Sequence, residues 1–161
     1  MYWLFQAAIF RRPRKPNPAG VKRPPIDDVK TTFPADLIVI PYQHDISRPA
    51  DNAVSILLGD GRGGFHLMPG LPLSLGDCRG PNSIAACDLT GDGTRAIVVA
   101  CAESRTIRTY QRGADWKFTA TTRSIAGGWG SVAIARLTDD RRSAIITANA
   151  DAGSITIYFL D

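Results

Sequence analysis

The sequence has little of what catalytic and metal sites are usually made from. It holds two histidines and three cysteines in 161 residues. No C-x-x-C pair occurs, so neither a zinc site nor a dithiol redox motif has its ligands at workable spacing. His44 stands beside Asp45 in a polar stretch, where a solvated loop is the plainer reading than a dyad. His66 follows Phe65 at a strand start and has no sequence partner. No G-x-S-x-G elbow is present. The run GDGRGG at Gly59–Gly64 lacks the Lys-Ser/Thr and the helix of a phosphate loop, which leaves a hairpin turn. No apolar run approaches the ~20 residues that span a bilayer. No helical hydrophobic period fits any segment. These absences argue against an enzyme within this chain and against a membrane span.

Acidic charge is missing from one region only. Residues 1–25 carry Arg11, Arg12, Arg14, Lys15, Lys22 and Arg23 and no Asp or Glu. The remainder holds thirteen basic against fifteen acidic side chains, so the net charge of +4 belongs to a tail. The rest of the chain gives no footprint for nucleic acid. Residues 11–25 pack five prolines and six cations into fifteen positions, a composition for an extended, solvated linker. The opening MYWLFQAAIF places its basic cluster after the apolar run, the wrong order for a secretory signal. It reads as an edge strand, a remnant of an export signal, or non-native sequence. Residues 1–33 are therefore expected to be an apolar N-terminus plus a disordered linker.

What is present is a succession of short apolar strands divided by turn residues. Strands are expected at Asp36–Pro41, Ala53–Gly59, Ser83–Asp88, Arg95–Ala102, Arg105–Gln111, Trp116–Ile125, Ser131–Arg136, Ser143–Asn149 and Ser154–Leu160. Phe65–Leu75 adds an interrupted strand whose Pro69 and Pro72 suit an edge. The chain is all-β.

The strands repeat. Residues 80–110 fall on 128–158 without a gap when shifted by 48, and twelve of the thirty-one positions are identical. Ordinary composition accounts for about two. A weaker upstream copy aligns Leu37–Ile40 with Ile97–Ala100 and Val54–Phe65 with Ile107–Phe118. One such sheet cannot bury both faces alone, so its neighbours must stack on it, as in a β-propeller. The expected fold is a partial propeller of about two and a half four-stranded antiparallel blades, at 34–79, 80–127 and 128–161. A chain of this kind is a fragment of a longer propeller, or completes a ring as a homo-oligomer.

The stretches SIAACDLTGDGTRAIVVA and VSILLGDGRGGF resemble the FG-GAP/VCBS repeat family, the blade type of integrin α-chain propellers, over residues 34–161. The resemblance implies adhesion or ligand binding, an extracellular or cell-surface setting, and in some members bound calcium. In the family the first stretch carries an Asp-x-Asn-x-Asp-Gly-x-x-Asp loop. Here Asp88, Thr90 and Asp92 hold the leading positions and Ala96 stands where the final carboxylate belongs. Calcium takes about six to eight oxygens, so this set makes a weak site, and an Asp–Gly turn is the plainer reading. The next copy has Arg136 and Arg141 in the loop, and the upstream copy keeps Asp36 behind Asp28, Lys30 and Thr32.

Cys78 precedes one strand of the central hairpin and Cys101 ends its neighbour, so a Cys78–Cys101 disulfide is one reading. Three free thiols, mostly buried, is the plainer one. Tyr110 and Tyr158 occupy equivalent strand positions and read as packing residues. Trp129 replaces Pro81 at a glycine-flanked strand entrance and is the candidate ligand-binding aromatic. The function expected is a non-catalytic module binding protein or carbohydrate; the alternative is a blade fragment of a hydrolase or lyase whose catalytic residues lie outside this chain.

Overall fold

The computed structural model describes residues 4–11, 35–42, 52–70, 72–89, 95–113, 117–128, 130–138 and 143–159. They form an all-β protein of antiparallel sheets, with no α-helix among the described residues. Among the described residues no helix is long and apolar enough to cross a membrane.

Sheet one contains β1 (Leu4–Arg11), β2 (Ala35–Tyr42), β3 (Ala53–Gly59) and β4 (Phe65–Leu67) in that order, and the short β5 (Leu73–Ser74) also pairs with β3. Sheet two contains β6 (Pro81–Asp88), β7 (Arg95–Cys101), β8 (Thr106–Arg112) and β9 (Phe118–Ser124). Sheet three contains β10 (Val132–Ala135), β11 (Ala144–Asn149) and β12 (Ser154–Phe159). The interrupted strand expected over Phe65–Leu75 is β4 and β5, separated by a stretch that includes Pro69 and Pro72.

Of the three readings of the opening decapeptide, the edge strand is the one in the structure. Leu4–Arg11 is a full strand, paired with β2 from Leu4↔Tyr42 to Arg11↔Ala35. The reason is backbone chemistry: an apolar strand such as β2 leaves a row of N–H and C=O groups on its outer edge, and any extended apolar run can pair with them. That pairing needs no likeness to the repeat, so comparing copies cannot reveal it. The linker expected after residue 11 lies outside the described residues.

The three sheets stack, with sheet two in the middle. Its strand β7 reads RAIVVAC because both of its faces are buried. Ile97, Val99 and Cys101 join Ile38, Ile40, Val54 and Ile56 of sheet one in a first core. Ala96, Val98 and Ala100 point the other way and join Val132 and Ile145 of sheet three in a second. Each large aliphatic side chain fully buried in these layers contributes about 1.5–3 kcal/mol. β6 lies beside β1 and β2 on one side and beside β10 on the other.

Equivalent positions do equivalent work. Tyr110 of β8 donates its hydroxyl to the Ser74 carbonyl of sheet one (2.6 Å), and Tyr158 of β12 donates to the Ser124 carbonyl of sheet two (3.0 Å). Each tyrosine thus ties its own sheet to the last strand of the sheet before it. The turn after the second strand of each copy carries a left-handed residue at the same place, Arg105 (φ 53°) and Gly153 (φ 57°). Gly80 packs against Glu103, and its counterpart Gly128 packs against Ala102 and Asp151, where a Cβ would collide. Both glycines are kept by that close approach.

Candidate functional site

A cluster of polar groups lies at the seam between sheets one and two. A cleft of about 850 Å³ opens there, lined by Asn52, Ser74, Gly76, Asp77, Arg79, Ser104, Thr106 and Thr122. Its wall is the loop from Leu75 to Gly80, and that loop is tied to both sheets. On the side of sheet one, the Asn52 amide nitrogen donates to the carbonyls of Gly76 (3.2 Å) and Cys78 (3.0 Å). The Asn52 carbonyl accepts from the Leu75 amide. On the side of sheet two, the Arg79 amide donates to Ser104 Oγ (3.2 Å), and the Glu103 amide donates to the Arg79 carbonyl.

A disulfide joins Cys78 to Cys101, with the two Cα atoms 5.3 Å apart. It links the loop to the buried end of β7. Asp77 and Arg79 flank Cys78, so their backbones are pinned on both sides while their side chains are exposed. Among the described residues neither side chain makes a hydrogen bond or an ion pair, which leaves one carboxylate and one guanidinium facing solvent from a rigid support. Ser104 Oγ and Thr106 Oγ1 stand 3.0 Å apart beside them.

Arg108 lies against two of the lining residues, Thr122 and Gly76. Its guanidinium lies over the Tyr110 ring at 5.6 Å, donates from Nε to the Tyr110 hydroxyl (3.1 Å) and from an Nη to Thr122 Oγ1 (3.2 Å). A Cβ on Gly76 would meet that guanidinium, so the absence of a side chain there leaves room for it. Burial pushes the Tyr110 hydroxyl above its ordinary pKa of 10.0, partly opposed by the Arg108 charge, and it stays a donor to Ser74.

The residues singled out from the sequence are scattered. Asp88 ends β6, half-buried, and its carbonyl accepts from Ser143 Oγ (2.9 Å). Thr90 and Asp92 lie outside the described residues, as do Trp129, Trp116, His44 and Asp45. Ala96 pairs with Cys87 while Asp88 pairs with Arg95, so Ala96 and Asp88 are on opposite faces of sheet two. A buried methyl in the second core therefore stands where the resemblance places a last carboxylate, and Asp88 with Ala96 does not fit a calcium site. No group of three or more metal-ligating side chains exists among the described residues.

Of the two cysteine readings, the disulfide is the one in the structure. Tyr110 and Tyr158 are inter-sheet ties rather than packing residues alone. The GDGRGG segment is a turn: Asp60 Oδ1 accepts from the amides of Arg62 (2.7 Å) and Gly64 (2.9 Å). Those two amides hold the Asp60 carboxyl below its ordinary value. The amides of Arg62 and Gly64 are thus spent on the turn's own carboxylate.

Asn52, Asp77, Arg79 and Ser104 escaped the sequence reading. Only the position of Asp77 and Arg79 on either side of a cysteine marked them. No family model, curated protein or solved structure matches the chain.

Proposed function

We propose that the chain is a non-catalytic binding module built from propeller-type blades, and that the cleft between sheets one and two takes a carbohydrate. The observation that carries this is the lining of the cleft: hydroxyls, one amide, one carboxylate and one guanidinium on a loop fixed to both sheets. Asp77 offers paired acceptors and Arg79 paired donors in a plane, which suits neighbouring hydroxyls on a sugar ring. A cleft of about 850 Å³ has room for one or two sugar units. Fixing the loop beforehand lowers the ordering cost of binding.

The blade reading is supported by three features. β6 sits between β1 and β10, the opening strands of neighbouring sheets. The two tyrosine ties recur, and so does the left-handed turn residue. The resemblance to FG-GAP/VCBS repeats points the same way. The disulfide fits an oxidising setting, in keeping with a cell-surface or extracellular role.

A glycan array followed by titration calorimetry tests the proposal. Binding of at least one glycan class is expected, and Asp77→Ala and Arg79→Ala are each expected to weaken it by about tenfold or more, the loss of one or two charge-assisted hydrogen bonds. Both side chains are exposed, so the melting temperature should hold. Binding that survives both substitutions, or an array with no hits, removes the cleft from consideration.

A further inference from the structure

Sheets two and three carry identical residues in opposite circumstances. Leu89 is 3 % exposed and its counterpart Leu137 is 47 % exposed; Ile107 is 0 % exposed and its counterpart Ile155 is 71 % exposed. In sheet two these side chains are covered by sheet three. In sheet three, nothing among the described residues covers them. The register Ala144↔Phe159, Ile146↔Ile157 and Ala148↔Ile155 puts all six on one face, so that face is apolar throughout.

The opposite end of the stack has a matching surface. Leu37 pairs with Leu57, Leu57 with Leu67, and Gly59 with Phe65, so these side chains share the face of sheet one that turns away from sheet two. Phe65 is 51 % and Leu67 49 % exposed. In the repeat alignment Leu37 and Leu57 stand where sheet three has Ile145 and Tyr158, the residues that sheet three lays against sheet two.

We propose that these two faces are the halves of one interface, and that a second copy of the chain docks head to tail on the first, sheet three of each on sheet one of the other. The proposal rests on the blade reading above. One chain carries both a face that covers and a face that needs covering, so a second copy is complementary without any new surface. The contact continues the one already made between sheets two and three. Two copies stacked in this way bring six such sheets together, inside the range of about four to eight at which rings of sheets close. A head-to-tail contact whose rotation closes gives a discrete dimer with two equal interfaces. Exposed apolar surface of this kind is otherwise an association hazard.

Light scattering behind size exclusion, with native mass spectrometry, reads the outcome. A single species at twice the 17.4 kDa of the chain is expected. Ile155→Asp on sheet three and Leu67→Asp on sheet one should each raise the dimer dissociation constant by about 100-fold, since each puts a charge into both apolar contacts. Far-UV circular dichroism should be unchanged; where an Asp variant loses sheet signal, Ile155→Ser or Leu67→Ser replaces it. A monomeric wild-type chain, an open series of larger species, or a dimer that responds to only one of the two substitutions overturns the proposal. A monomer that still binds glycan removes the ring and keeps the cleft. A dimer that ignores both substitutions removes the blade stacking as well.

Discussion

Sheets two and three are written in the same thirty-one-residue pattern, twelve positions of it identical, and they meet different surroundings. Sheet two is covered on both faces, and sheet three on one. An isoleucine at the same place in the pattern is a core residue in one and a surface residue in the other. In a stack of sheets, then, burial belongs to the neighbour as much as to the residue. The two seams differ as well. At the first, Cys101 is covalently bound to Cys78. In sheet three, the counterpart Asn149 accepts from Thr147 Oγ1 (3.1 Å) and donates to Thr156 Oγ1 (2.7 Å). The first seam is closed by a covalent bond, whereas the same repeat position in the next copy holds a polar network that stays within sheet three.

The largest effect should separate the two isoleucines. Ile107→Ala is expected to cost about 2–5 kcal/mol, the usual range for emptying a packed site. Ile155→Ala, measured in the Leu67→Asp background to keep the chain single, should change stability by less than about 0.5 kcal/mol. Urea unfolding of the pair reads the difference, and equal costs would break the comparison.

Next comes the contrast between seams. Reducing the disulfide should cost about 3 kcal/mol, from freeing a loop closed across a separation of 23 residues. Asn149→Ala should cost about 1–3 kcal/mol, because it leaves the buried Thr147 hydroxyl without its acceptor. Only the first of these should also weaken glycan binding, since the cleft lies at the first seam.

The tyrosine ties come third. Tyr110→Phe should cost about 1 kcal/mol and Tyr158→Phe less, because the second tie is the more exposed. Tyr110 also carries a pH signature. Its folded pKa is raised above 10.0 by burial, so its contribution is fully present below pH 10.0 and is lost as pH rises through the higher folded value. Alkaline unfolding should shift upward in Tyr110→Phe relative to the parent at equal neutral stability.

The smallest effect concerns the turn. Arg105 holds the left-handed conformation that Gly153 holds in the next copy. Arg105→Gly should raise stability, by up to about 1 kcal/mol, since glycine adopts that conformation without steric cost. A loss of stability would mean that the Arg105 side chain contributes more than its strain takes away.

The parts of this structure that the sequence announces are those carried by apolar identity and turn residues. Ile97 and Ile145, or Leu89 and Leu137, align because each must hold the same place in a sheet. The disulfide was within reach, since a hairpin brings the ends of its strands together. β1 was legible only as one of three readings, because strand pairing is made by the backbone and the opening decapeptide does not match the repeat. The cleft was not legible. Asn52 and Ser104 meet only because two sheets stack at a particular angle, and spacing along the chain does not encode that angle. A loop motif shows which oxygens are near in sequence, but the strand register decides which positions share a face, and it sets Asp88 and Ala96 on opposite ones.

The most direct test of the account compares Ile107 and Ile155 in one spectrum. In the Leu67→Asp variant, with isoleucine methyl groups labelled, a soluble nitroxide should broaden the Ile155 methyl strongly and leave the Ile107 methyl untouched. Equal broadening of both signals, or protection of both in a chain shown to be monomeric, would contradict the stacking of three sheets with the outer face of sheet three left open.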